Sequence, residues 1–102
     1  MAIQKTLTTS DASVTPQISA VLPMDWRTNP FSVGILCFVT GAATYSIEHS
    51  DDNTNWHANA NINGAAADAD TNYMFPVRYI RLRQTAGSGS VQAQVLQTGP
   101  NK

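Results

Sequence analysis

Nowhere in this chain do large apolar residues recur at i, i+3, i+4 and i+7, the spacing that turns one face of a helix toward a core. What recurs instead is a short run of alternating, β-branched or aromatic residues closed by Gly, Pro, Asn or Asp, the pattern of stacked short strands. The runs fall at Ile3–Thr9, Ser13–Val21, Phe31–Thr40, Thr44–Ser50, Trp56–Ile62, Tyr73–Phe75, Val77–Gln84 and Ser90–Gln97. Pro23, Pro30, Gly41, the Asp51–Asn55 cluster, Gly64 and Ala86-Gly87-Ser88-Gly89 separate them. The last of these lies between two strongly alternating runs and predicts a hairpin. Gly64–Asp70 is rich in alanine but short and has no large apolar residue to bury, so it reads as a loop. The fold expected is all-β, a jelly-roll-like antiparallel β-sandwich of about eight short strands.

Period-two alternation assigns the faces. Ile80 and Leu82 share one side of their run, with Tyr79, Arg81 and Arg83 on the other. Phe31, Val33, Ile35, Cys37 and Val39 line one side of the third run. Leu36 and Phe38 lie opposite, which predicts a central strand apolar on both faces. Val91, Ala93 and Val95 face inward on the final run, with Gln92 and Gln94 outward. The predicted core is Phe31, Val33, Ile35, Cys37, Tyr45, Ile47, Trp56, Ile80, Leu82, Val91 and Val95.

At 102 residues the chain supports one core and one domain. The expected division is an N-terminal arm or edge strand over 1–13, the sandwich over 14–97 and a fraying tail over 98–102. A net charge of −1 disfavours nucleic acid and polybasic membrane binding alike, since both need a basic face. The apolar runs are far shorter than the roughly 20 residues of a membrane-spanning helix. Met1–Thr6 lacks the apolar stretch of a signal peptide. The single cysteine, Cys37, sits in an apolar run as a small hydrophobe and forms no intrachain disulfide. These features place synthesis and assembly in a reducing cytoplasm.

Five groupings invite a chemical reading. Asp51-Asp52-Asn53-Thr54-Asn55 offers oxygens, but it has neither the glycine nor the closing acid of a calcium loop, so it reads as a bend. His49 and His57 flank that bend, yet no third strong zinc ligand follows at regular spacing. Glu48 has no evident partner carboxylate for glycoside hydrolysis, and Gly87-Ser88-Gly89 lacks the lysine of a phosphate loop. Arg78, Arg81 and Arg83 leave two alternatives open. They pair with Glu48 or an aspartate on a neighbouring strand, or they anchor an interface alongside Tyr79. The expectation is no catalytic residue, no metal and no cofactor.

Ala43-Thr44-Tyr45-Ser46-Ile47-Glu48, the Asp51-Asp52 turn, Trp56, Pro76-Val77-Arg78-Tyr79-Ile80-Arg81-Leu82, Gly87-Ser88-Gly89 and the Val91–Gln97 strand resemble the pattern of small β-sandwich virion proteins of tailed bacteriophages. Tyr45–Trp56 and Arg78–Leu82 are also similar, more weakly, to discoidin-type jelly rolls. The first resemblance implies a non-enzymatic head decoration or cement protein. Such a protein binds the major capsid protein on the capsid exterior, often as a homotrimer, with the N-terminal arm reaching neighbouring subunits. The interface residues proposed from the sequence are Trp26, Arg27, Tyr79, Arg81 and Arg83. The alternative is a carbohydrate-binding module of a tail or adhesin, with Trp26 as its aromatic platform.

Overall fold

The structure, a computed structural model, describes residues 2–28 and 30–98. These form nine strands: β1 (Ala2–Ser10), β2 (Gln17–Ile18), β3 (Leu22–Pro23), β4 (Val33–Thr40), β5 (Thr44–Ser50), β6 (His57–Ala65), β7 (Ala69–Tyr73), β8 (Tyr79–Ala86) and β9 (Ser90–Thr98). One antiparallel sheet runs β1-β9-β4-β7, the other β2-β8-β5-β6 with β3 also on β8. β2 meets β8 at Gln84 and Arg83, and β3 meets it at Ile80 and Tyr79, so the two are halves of one interrupted edge strand. Ser19 bridges the interruption: its N–H donates to the Leu82 carbonyl, and its hydroxyl accepts from the Leu82 N–H, both at 2.9 Å. Counting that pair once leaves eight strands in two four-stranded layers, the jelly-roll-like sandwich expected.

The chain passes from one layer to the other at almost every connection. β5 and β6 are the hairpin, joined through Asp51–Trp56. The hairpin expected across Gly87–Gly89 does not form. β8 lies between β5 and the β2/β3 edge, whereas β9 lies between β1 and β4 in the other sheet. The glycines instead let the turn cross between layers. Gly87 takes φ 96°, and a Cβ on it would fall within contact distance of the Ala42 carbonyl and 2.7 Å from the Ala43 Cα.

Other boundaries shift for local reasons. The expected strand Ser13–Val21 shrinks to β2, because Asp11 at φ 53° and Pro16 turn the chain before it. Within the expected loop Gly64–Asp70, β6 continues to Ala65 and β7 begins at Ala69. Tyr73 ends β7 rather than opening a strand, leaving Met74 and Phe75 on the surface. Residues 2–10 are an edge strand paired with β9 along their whole length, from Ala2↔Thr98 to Ser10↔Ser90. Thr98 closes β9, and the rest of the expected tail lies outside the described residues.

The core sits between the layers. Phe31, Val33, Ile35, Cys37, Tyr45, Ile47, Ile80, Leu82, Val91 and Val95 are buried as expected. Leu7, Leu22, Met24, Ile62, Tyr73, Val77 and Ala93 join them. Trp56 does not. It stands one residue before β6 and lies half-buried under the Arg81 guanidinium, which is 4.1 Å from its ring centroid. Burial pushes the Cys37 thiol up to about 11, which keeps it protonated near neutrality.

Two glutamines are buried with the apolar side chains, and each satisfies its amide. Gln84 donates to the Gly89 and Gly87 carbonyls at 2.9 and 3.1 Å and accepts from the Thr9 hydroxyl at 2.9 Å. Gln97 accepts from the Asp25 N–H at 2.9 Å and donates to the Asp25 carbonyl at 2.8 Å. Each amide ties a connection to the sheet from within. Gln84 holds the β8–β9 turn, and Gln97 holds the β3–β4 loop that carries Trp26.

Candidate functional site

The bend after β5 is built from its own backbone. The Ser50 hydroxyl accepts from the Asp52 and Asn53 N–H groups at 3.2 and 2.9 Å and donates to Asp52. One Asp52 oxygen accepts from the Thr54 and Asn55 N–H groups at 2.9 and 2.8 Å, and the other accepts from the Asn55 amide at 2.7 Å. These bonds, led by that from the Asn55 backbone, hold the Asp52 carboxyl well below the usual carboxylate range. Asn53 adopts φ 59°, the left-handed conformation that asparagine tolerates. The bend reading of the sequence therefore describes this cluster.

His49 and His57 stack with centroids 6.1 Å apart, and the His49 Nδ1 lies 2.7 Å from the Tyr73 hydroxyl. Burial, reinforced by His57 and opposed by Asp51, lowers the affinity of His49 for a proton. Burial likewise pushes the Tyr73 phenol up to about 12. Phe75 packs edge-on against both His49 and Tyr73. The pair is thus part of an aromatic cluster at the loop end of the sandwich. Among the described residues, no three His, Cys, Asp or Glu side chains converge as metal ligands would.

The residues proposed as an interface fall into two groups. Arg81, Arg83 and Tyr79 lie on the outer face of the β8 sheet. The Arg81 Nε donates to the Glu48 Oε1 at 2.7 Å, and an Arg83 nitrogen approaches the Oε2 at 3.7 Å. Of the two alternatives left open, pairing with Glu48 is what the geometry shows for these arginines. Glu48 itself is buried under them. Arg83 leaves its buried Nε without a partner among the described residues.

Trp26 and Arg27 lie at the loop end, in the turn after β3. Two guanidiniums rest against the indole, with Arg78 at 4.3 Å and Arg27 at 5.1 Å from the ring centroid. Trp26, Asp51, Pro76 and Arg78 line a shallow depression. Trp26 remains 39 % exposed.

A further surface escaped the sequence reading. On the outer face of the β1-β9-β4-β7 sheet, Leu36, Phe38 and Leu96 are 48, 42 and 45 % exposed. Register places Leu36 beside Gln94, Phe38 beside Gln92, and Leu96 beside Gly34 and Gln4. Thr6, Thr8, Asn72 and Thr40 complete a face on which the strands place a single charge, Asp70, Lys5 of β1 alternating to the other side. The sequence predicts Leu36 and Phe38 as a second apolar face of a central strand. β4 is central in its sheet, but nothing among the described residues covers that side. Leu96 carried the missing signal, being an apolar residue on the Gln92–Gln94 side of its strand. Two shallow depressions flank this patch. Gln4, Leu36, Asn72 and Leu96 help line one, and Thr8, Ile18, Phe38 and Gln92 the other.

No protein-family model matches this chain, and a comparison with curated proteins finds no match.

Proposed function

We propose that this protein is a non-enzymatic structural protein of a phage virion, of the decoration or cement type. It attaches to the outer surface of the capsid through the outer face of the β1-β9-β4-β7 sheet. The observation that carries this reading is the patch of Leu36, Phe38 and Leu96, open and framed by uncharged glutamines and threonines. Contiguous exposed apolar side chains in a polar frame are characteristic of interaction surfaces, and charge is depleted at the centre of protein interfaces. The engagement of the polar groups supports it as well. Glu48 is paired to Arg81, Asp52 to its own loop, and His49 to Tyr73, so each works within the fold. Attachment at several points would turn weak single contacts into tight binding.

The decisive experiment adds purified protein to undecorated heads of tailed phages and images them. Saturable density repeating with capsid symmetry supports the proposal, and bare heads at saturating protein overturn it.

A second reading, a carbohydrate-binding module, is favoured by one observation. Trp26, partly exposed, lines the shallow depression that also contains Asp51 and Arg78. Specific binding on a glycan array that Trp26→Ala abolishes would replace the capsid reading with this one.

A further inference from the structure

A sandwich has four sheet edges, and each exposes unpaired backbone groups that invite another strand. Three edges here carry features that block such pairing. The β2/β3 edge is interrupted between Ile18 and Leu22 and contains Pro23. The β6 edge is bulged: between the pairs Ser46↔Asn63 and Glu48↔Ala58, two steps along β5 oppose five along β6. The β7 edge is five residues long and carries Asp70, while the carboxylate of Asp68, just before it, already accepts from the Val39 N–H at 2.8 Å.

β1 has no interruption, proline or bulge and shares only the last of these features, a single charge. It runs nine residues in unbroken register against β9, contains no proline and bears one charge, Lys5. Among the described residues no strand pairs with it on its other side. The Asp11 N–H donates to the Gly89 carbonyl at 3.0 Å on the β9 side. By the alternation of an antiparallel ladder, the N–H and C=O groups of Gln4, Thr6, Thr8 and Ser10 therefore point away from β9.

We infer that β1 pairs with the β1 strand of a second copy of this chain about a two-fold axis through Thr6. Thr6 is the midpoint of Ala2–Ser10, and its N–H and C=O face outward, so both copies engage their full strands in register. Thr6 then exchanges two hydrogen bonds with the partner's Thr6, and Gln4 lies opposite the partner's Thr8. Lys5 falls opposite the partner's Leu7, so no like charges face one another. The two four-stranded sheets become one eight-stranded sheet. Because the axis stands perpendicular to the sheet, both Leu36–Phe38–Leu96 patches face the same way. The pairing does not depend on the capsid reading, although it would give that reading a bivalent surface. It closes at two copies, unlike the trimer implied by the resemblance.

Sedimentation of the full chain over a wide concentration range tests the inference, together with amide exchange of Gln4, Thr6, Thr8 and Ser10. The expected result is a reversible dimer whose formation protects these four amides. Thr6→Pro removes an outward N–H without breaking the ladder to β9, and Thr6→Lys sets two cations against each other across the axis. Both should be monomers with the unaltered circular dichroism spectrum, and if Thr6→Pro unfolds, Thr6→Lys decides. A monomer at every concentration, a trimer, a dimer that Thr6→Lys retains, or a dimer whose four amides exchange freely would overturn the inference.

Discussion

Gln84 shows how one polar side chain can stabilise a core by completing it. It is fully buried, and its amide serves the Gly87 and Gly89 carbonyls and the Thr9 hydroxyl at once. Gln84→Leu keeps the side-chain volume but leaves the buried Thr9 hydroxyl without its acceptor, while the Gly87 and Gly89 carbonyls keep only the Ala12 and Asp11 N–H groups. An unsatisfied buried group costs about 1–3 kcal/mol, so a loss of that order is expected in urea denaturation. Three other residues set the response to acid. The folded-state affinity of Asp52 for a proton is depressed by its loop hydrogen bonds, that of Asp11 by bonds from Ser13, and that of His49 by burial. In each case the unfolded chain binds the proton first, so the stability is present above the unfolded value and lost as pH falls through the folded one. Melting temperature is expected to hold steady above about pH 7, to decline below about pH 6.5 as His49 titrates, and to decline again below about pH 4. Calorimetry across that range should show the upper step vanish in His49→Asn and the lower step shrink in Asp52→Asn, where Asp11 remains.

At the level of the elements, turns decide the topology. Gly87 and Gly64 both take positive φ, 96° and 76°, but their surroundings differ. A Cβ on Gly64 meets nothing within 4 Å, whereas one on Gly87 meets the backbone of Ala42 and Ala43. Gly64→Ala should therefore cost only the conformational strain, about 1–2 kcal/mol. Gly87→Ala adds a clash between two turns that cross the layers together, and a loss of roughly 3–4 kcal/mol is expected. Chemical denaturation of the pair isolates the packing part by subtraction. Equal losses would show that the β4–β5 and β8–β9 turns give way to each other without cost.

For the molecule as a whole, the two outer faces differ in how they meet solvent. The β8 sheet covers its outer face with Glu48, Arg81, Arg83 and Trp56 locked together. The opposite sheet leaves Leu36, Phe38 and Leu96 open. Phe38→Asp puts a charge at the edge of the patch, where it stays solvated. Its expected effect is loss of attachment to phage heads with the melting temperature shifted by no more than a few degrees, since exposed substitutions usually change stability by under about 0.5 kcal/mol. A variant that decorates heads like the parent would remove this face from the proposed attachment.

The local alternation of Val33–Cys37, Ile80–Leu82 and Val91–Val95 determined the strands and most of the core, because a period of two sorts side chains to opposite faces whatever the partner strand is. The Asp51–Asn55 bend was legible for a similar reason: Ser50, Asp52 and Asn55 bond to backbone only two or three residues away. Tertiary structure alone decided which strand lies beside which. A glycine turn serves a hairpin and a crossing between layers equally well, so Gly87–Gly89 did not reveal that β8 and β9 belong to different sheets. Nor did alternation show whether the second side of β4 is covered, since Leu36 and Phe38 have the same local pattern whether another layer or solvent faces them. Pairing and coverage depend on residues far apart in the chain, and only the folded molecule brings those together.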